Sequence, residues 1–272
     1  MDEKVPELLD LTRKLLDQAM DIVETPLSHT SVERKEILYQ IFLRVQLSEA
    51  LKFGYGAYYS CHHGWGHGGI GAARSIYEIL LDIKYINQDD SCKEERFTRF
   101  ADHGAEHLYH EMKIMCLLGE KVSQEEQDER TNTYKWLKKK YKDKHDQDIK
   151  SGVPKADATP RYRPYNWAGI DLSQKVNEIN LEKFHQFYKY LSNLSHGGGI
   201  GTTFDAIEKF NENQIKIDLN LRQGLDHCYF VLIVVFPCIL WILEEYMEYF
   251  GIERSHYPNL EKIEEDCKKL LK

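Results

Sequence analysis

The feature that most restricts this chain is an apolar run near its C-terminal end, YFVLIVVFPCILWIL, from Tyr229 to Leu243. The run falls short of the roughly 18 to 20 residues that span a bilayer, and Pro237 interrupts it. A helix that is apolar on every side belongs in the middle of a packed body. The run therefore predicts a buried helix from about Leu221 to Phe250, kinked at the proline. Other helices must then surround it.

The rest of the chain supplies them. Leu8, Leu11, Leu15, Ala19 and Ile22 recur at helical spacing, and Leu38, Ile41, Phe42 and Val45 form a second stripe behind an N-cap at Ser31. AARSIYEILLDIKYIN, from Ala72, is apolar nearly all round and reads as a central helix. Between these helices lies FGYGAYYSCHHGWGHGGIG, whose glycines argue against a long stable helix. A helix over about Glu94 to Leu118 has its expected core face on Phe97, Ala101, Leu108, Met112 and Met115. A highly charged stretch from Lys121 to Lys150 follows, a solvated helix or arm. FDAIEKFNENQIKIDLN leaves room for a small β-hairpin near 203–219. The expected fold is all-α: a single helical domain over 1–272, with 121–166 inserted as a charged arm and a Pro/aromatic loop.

Hydrophobic residues at 42%, charged residues at 29% and only 7 prolines fit a folded, soluble helical protein. The net charge of −8 gives no bulk attraction to nucleic acid, so such binding would need a local basic patch. The 6 cysteines lie far apart with no CxxC, which fits neither a zinc ribbon nor a disulfide framework. MDEKVPELLDL is acidic and lacks a secretory leader's features. A cytoplasmic location, no membrane contact and no cofactor are the expectations.

Four groups of residues carry candidate chemistry. Tyr188, Ser192 and His196 share a stripe beside the apolar face Phe184, Phe187, Leu191 and Leu194, where partial desolvation tunes an imidazole for proton transfer. The bland alternative makes Ser192 a back-bonding side chain and His196 a helix-end cation. Arg74 and Glu78, four apart on the apolar helix, are either a phosphate-holding pair or an internal ion pair. Arg96, Arg99, His103, His107 and His110 gather on one face, open to an anion, a metal or solvent. His103 and His107 have two-histidine metal spacing, with Glu111, His62, His63 or His67 available to complete a site. Arg161, Tyr162, Arg163, Tyr165 and Trp167 interleave cations with aromatics, a composition suited to stacking unpaired bases. His67, in the glycine-rich segment, joins Arg161, Arg163, Tyr165 and Trp167 as a candidate substrate contact.

Two resemblances rest on these residues. Arg96 to His103 has the form R-x6-H, similar to the R-x4–6-H motif of the HEPN helical ribonucleases and toxins. That resemblance implies an α-bundle acting at a dimer interface, with Arg96 stabilising phosphate and His103 moving protons in metal-independent RNA cleavage. AARSIYEILLDIKYI, YNWAG and FYKYLSNLSHGG together resemble a family of uncharacterised bacterial helical proteins. Its pattern here is Arg74, Glu78, Trp167, Gly169, Tyr188, Ser192 and His196. This second resemblance implies a bundle in which Arg74, Glu78 and His196 meet, and it implies no established reaction. Three functions stay open: an RNA-directed ribonuclease or toxin of a defence system, a homodimeric or partner-binding assembly module, and a histidine-based metal hydrolase.

Overall fold

The computed structural model describes residues 2–25, 34–154, 158–159, 167–196, 207–211, 214–217 and 225–272; at 2, 34–35, 194–196, 207–211, 214–217 and 225–226 it describes the backbone alone. The described residues are overwhelmingly helical, so the all-α class holds. Contacts divide the chain into two compact units, Met1–Lys84 with Leu181–Lys272, and Tyr85–Asn180.

In the first unit, α1 (Val5–Glu24) buries Leu8, Leu11, Leu15, Ala19 and Ile22, the expected stripe, together with Leu16. Thr12 sits fully buried on that face because its hydroxyl bonds back to the Leu8 carbonyl at 2.7 Å. The apolar run lies inside α8 (Leu225–Phe250), which contacts α1, α2 (Arg34–His62) and α7 (Glu182–His196). By length and composition its stretch His227–Tyr249 is long enough to cross a membrane, and 67% of its most apolar part is buried inside the protein. Pro237 lies within the helix and removes the hydrogen bond to the Ile233 carbonyl. Ile233 and Pro237 are half-buried while Val234, Val235, Cys238 and Ile239 are buried, so the missing bond falls on the side nearer water.

Two expectations for α2 are corrected. Leu38, Ile41 and Val45 are about half exposed, and Tyr39, Phe42, Leu43, Leu47, Ala50 and Leu51 make the buried face instead. Both rows are apolar, and the row that reaches α1 and α8 wins. Nor do the glycines break the helix: α2 runs on to His62, turns at Gly64 with φ 75°, and α3 (Gly66–Asn87) begins two residues later. A Cβ at Gly54 would fall 2.6 Å from Leu16 Cδ2, so this glycine allows α1 and α2 to approach closely. The Ser31 cap lies outside the described residues. α3 is the central helix expected, with Ala73, Ile76, Tyr77, Leu80, Leu81 and Ile83 fully buried. The amphipathic α9 (Pro258–Leu271) packs on α1 through Leu260, Ile263 and Cys267.

The second unit centres on α4 (Asp90–Leu117) and α5 (Gln124–Lys150). Lys144 meets Glu95 at 2.7 Å, Lys140 meets Asp102 at 2.5 Å, and Arg130 donates to the Leu108 carbonyl at 2.9 Å. Rising numbers on one helix pair with falling numbers on the other, so the two run antiparallel. The charged stretch is thus a helix packed along α4, burying only Leu137, Tyr141 and His145 at four-residue intervals. Expectation holds at Met112, which is buried, and fails at Ala101 and Leu108, which are exposed, while Arg99, His103 and Glu106 are buried instead. The Trp167 carbonyl and the Tyr141 ring take up Arg99, the Arg99 carbonyl takes up His103, and His110 lies 3.6 Å from Glu106. A short helix, α6 (Leu172–Glu178), begins at a capping box in which Asp171 and Gln174 satisfy each other's backbone N–H at 2.8 and 3.0 Å.

Within the expected hairpin span, Ile207–Asn211 pairs antiparallel with Gln214–Ile217. Residues 203–206, 212–213 and 218–219 of that span lie outside the described residues.

Candidate functional site

Of the candidate residues, those that the first unit brings together lie on α3 and α7. Arg74, Tyr77 and Glu78 fall at i, i+3 and i+4 on α3, and His185 and Tyr188 at i and i+3 on α7, so each helix presents one cluster. Tyr188 donates its hydroxyl to Glu78 Oε1 at 2.8 Å. The Arg74 guanidinium lies 3.9 Å from the same carboxylate and 5.7 Å from the Tyr188 ring centre. Glu78 is 51% exposed at its side chain and Arg74 22%, so the cluster opens to solvent at its carboxylate. In that setting the ion pair itself contributes only about 0.3–0.5 kcal/mol.

Behind it three rings stack. Tyr188 lies 4.8 Å from Tyr77 and 5.4 Å from His185, with interplanar angles of 29° and 14°. Tyr77 Oη and His185 Nδ1 share a hydrogen bond of 3.1 Å, and both residues are buried. Burial raises the Tyr77 phenol, and burial aided by Lys189 pushes the His185 imidazole below its ordinary value. Burial, then the hydrogen bond to Glu78, raises Tyr188, while Arg74 works in the opposite direction. The inner pair, Tyr77 and His185, is therefore neutral at pH 7. A neutral, stacked floor under an exposed cation–carboxylate edge can orient an anion at Arg74.

Neither Tyr77 nor His185 is among the candidate site residues that the sequence singles out. Their signal is positional: Tyr77 stands three residues from Arg74, and His185 three from Tyr188. Ser192 continues the Tyr188 stripe and is half-buried. α7 ends at His196, whose side chain lies outside the described residues. Arg74, Glu78 and Tyr188 meet; the expected meeting of Arg74 and Glu78 with His196 falls on a side chain outside the described residues.

The other candidates fall differently. Arg96 is engaged within the second unit: its guanidinium lies 4.0 Å above the Tyr85 ring and bonds the Tyr85 carbonyl and Glu178. His103 is buried, with Nδ1 3.0 Å from the Arg99 carbonyl and its ring 6.0 Å from Tyr141. These two candidates face different partners, so the R-x6-H spacing does not assemble an exposed pair. Trp167 is corrected as a base-stacking residue. It is buried between Tyr85 and Phe100, with the Lys175 ammonium over its ring at 4.7 Å, and its carbonyl accepts from Arg99. Arg161, Arg163 and Tyr165 lie outside the described residues. His67 is exposed, and its ring lies 4.1 Å from that of buried His227. Among the described residues no three of His, Cys, Asp or Glu group so as to hold a metal ion.

Fold and cluster together define a helical-bundle protein with an Arg–Glu–Tyr edge shared by two helices. The model of a family described as "Family of unknown function (DUF5677)" matches residues 41–214, well over half of the chain, and the chain belongs to that family. The matched span includes Arg74, Glu78, Tyr188, Ser192 and His196. No curated protein and no solved structure matches the chain.

Proposed function

We propose that this chain is a HEPN-like helical protein acting on RNA, a metal-independent ribonuclease of the toxin or defence kind, cytoplasmic and working as a homodimer. The observation that carries the reading is the Arg74–Glu78–Tyr188 cluster on α3 and α7, open to solvent at the Glu78 carboxylate. Arg74 holds a phosphate, for which a guanidinium fork is the natural match. Glu78, itself fixed by the Tyr188 hydroxyl, orients Arg74. His196, two turns beyond Tyr188 on the same helix stripe, moves the proton. The 2′-hydroxyl of the RNA loses its proton to the imidazole as its oxygen bonds to phosphorus. The bond from phosphorus to the 5′-oxygen breaks, and that oxygen takes a proton. A positioned histidine contributes about 10²- to 10⁴-fold to such a step. The charged helix α5 and the hairpin near 203–219 are accessory elements in this reading. Single-stranded RNA incubated with the protein and a chelator tests it: the expected products end in 2′,3′-cyclic phosphate. Absence of cleavage by the wild type, or undiminished cleavage by His196→Ala, removes the proposal.

A second reading, an assembly module, draws on a different observation. Ile37, Leu38, Ile41 and Val45 leave 44–52% of their surface exposed along α2. A wide apolar row of that kind marks an interaction face. Ile41→Lys would dissolve a complex built on it and leave RNA cleavage unchanged.

A further inference from the structure

Two buried cysteines from distant parts of the sequence share one gap between α2 and α8. Cys61 Sγ lies 3.9 Å from the Cys228 carbonyl oxygen, and Cys228 Sγ lies 3.7 Å from the Cys61 carbonyl oxygen. Such reciprocity puts each sulfur beside the other's backbone. Above them α3 begins: the Gly66 N–H, at its first residue, points to Cys228. A Cβ on Gly69 would come within 2.9 Å of Val231, so this end of α3 lies tight against α8.

The two sulfurs are not equivalent. The adjacent Cys61 thiol, and less strongly the Gly66 backbone, hold Cys228 below the ordinary thiol value against the effect of burial. The adjacent Cys228, then burial, raises Cys61. Burial alone raises Cys238, and burial, then the nearby Glu264, pushes Cys267 up to about 11. A sulfur at a helix N-terminus beside a second thiol is the arrangement that makes a cysteine nucleophilic. Access is short: Cys61 lies directly before the α2–α3 turn, where His62, His63 and Trp65 are exposed.

We propose that Cys61 and Cys228 form a redox dithiol that a hydroperoxide converts to a disulfide joining α2 to α8. Cys228 attacks one peroxide oxygen; the S–O bond forms, the O–O bond breaks, and the departing hydroxide takes the thiol proton to leave as water. Cys61, losing its proton, then attacks the Cys228 sulfur, forming S–S and expelling the second oxygen as water. Two thiols and one hydrogen peroxide become one disulfide and two waters, and an external dithiol reverses the change. Closing so long a loop stabilises the folded chain. None of this depends on the RNA reading.

The test treats the folded full-length protein with a small excess of hydrogen peroxide, blocks remaining thiols, and maps the peptides. The proposal predicts a Cys61–Cys228 linked peptide, a mass loss of about 2 Da that a dithiol restores, and a higher Tm in the oxidised form. Cys61→Ser leaves a sulfenic acid at Cys228 that dimedone captures, and Cys228→Ser leaves no adduct at Cys61. Free Cys61 and Cys228 after treatment, or linkage no more frequent than to Cys238 or Cys267, overturns it. The wild-type peptide map decides even where a variant fails to fold.

Discussion

Tyr77→Phe removes one oxygen from the buried floor of the site and nothing else. Tyr77 is fully buried and His185 is 4% exposed, so water does not replace the lost bond. Phenylalanine keeps the ring contacts, 4.8 Å to Tyr188 and 5.7 Å to Phe184. What disappears is the 3.1 Å bond to His185 Nδ1, which then stays in an apolar surrounding without that partner. Leaving a buried polar atom so exposed to low dielectric costs about 1–3 kcal/mol. For a chain of this size each kcal/mol moves Tm by about 2–4 °C, so a fall of roughly 2–12 °C is expected. Urea unfolding should show a lower midpoint at unchanged slope, since the exposed surface does not change. A variant as stable as the wild type refutes the reasoning, because it would mean that His185 does not depend on Tyr77.

Acid should weaken the same floor. Burial holds His185 below its ordinary value of 6.5, so the unfolded chain gains a proton before the folded one as pH falls. Stability from His185 therefore falls with acidification below about pH 6.5, and His185→Gln should flatten that part of the unfolding profile. Gly54→Val adds bulk 2.6 Å from Leu16 and should cost about 1–3 kcal/mol by overpacking, seen as a lower denaturation midpoint. In the second unit Asp102 accepts from Lys140 at 2.5 Å and from Tyr141 at 2.8 Å; Asp102→Asn should loosen the α4–α5 pair, read as faster amide exchange along α5.

The sequence declares the helices whose apolar pattern admits one interpretation. The Leu8–Ile22 stripe of α1, the all-round apolar α3 and the run in α8 pack as their periodicity dictates. Legibility fails where two faces compete. On α2 two apolar rows are available, and packing against α1 and α8 chooses between them. On α4 the usual rule that charge faces water is overruled, because Tyr141 and the Trp167 carbonyl satisfy Arg99 inside. The glycine-rich stretch misleads for a related reason: helix propensity counts a glycine as a loss and does not see the neighbouring helix that needs the space. Of the site, the Arg–Glu and Tyr–Ser–His spacings are visible. The Tyr77–His185 floor is not, since it arises from two segments 108 residues apart.

The central claim is that Arg74 grips a phosphate of RNA. Titrating a labelled single-stranded oligonucleotide against wild type and Arg74→Ala across a salt series measures this directly. Loss of one phosphate contact should weaken binding and reduce the slope of log K against log salt by about 0.7. Equal affinity and equal slope for the two folded proteins would contradict the account.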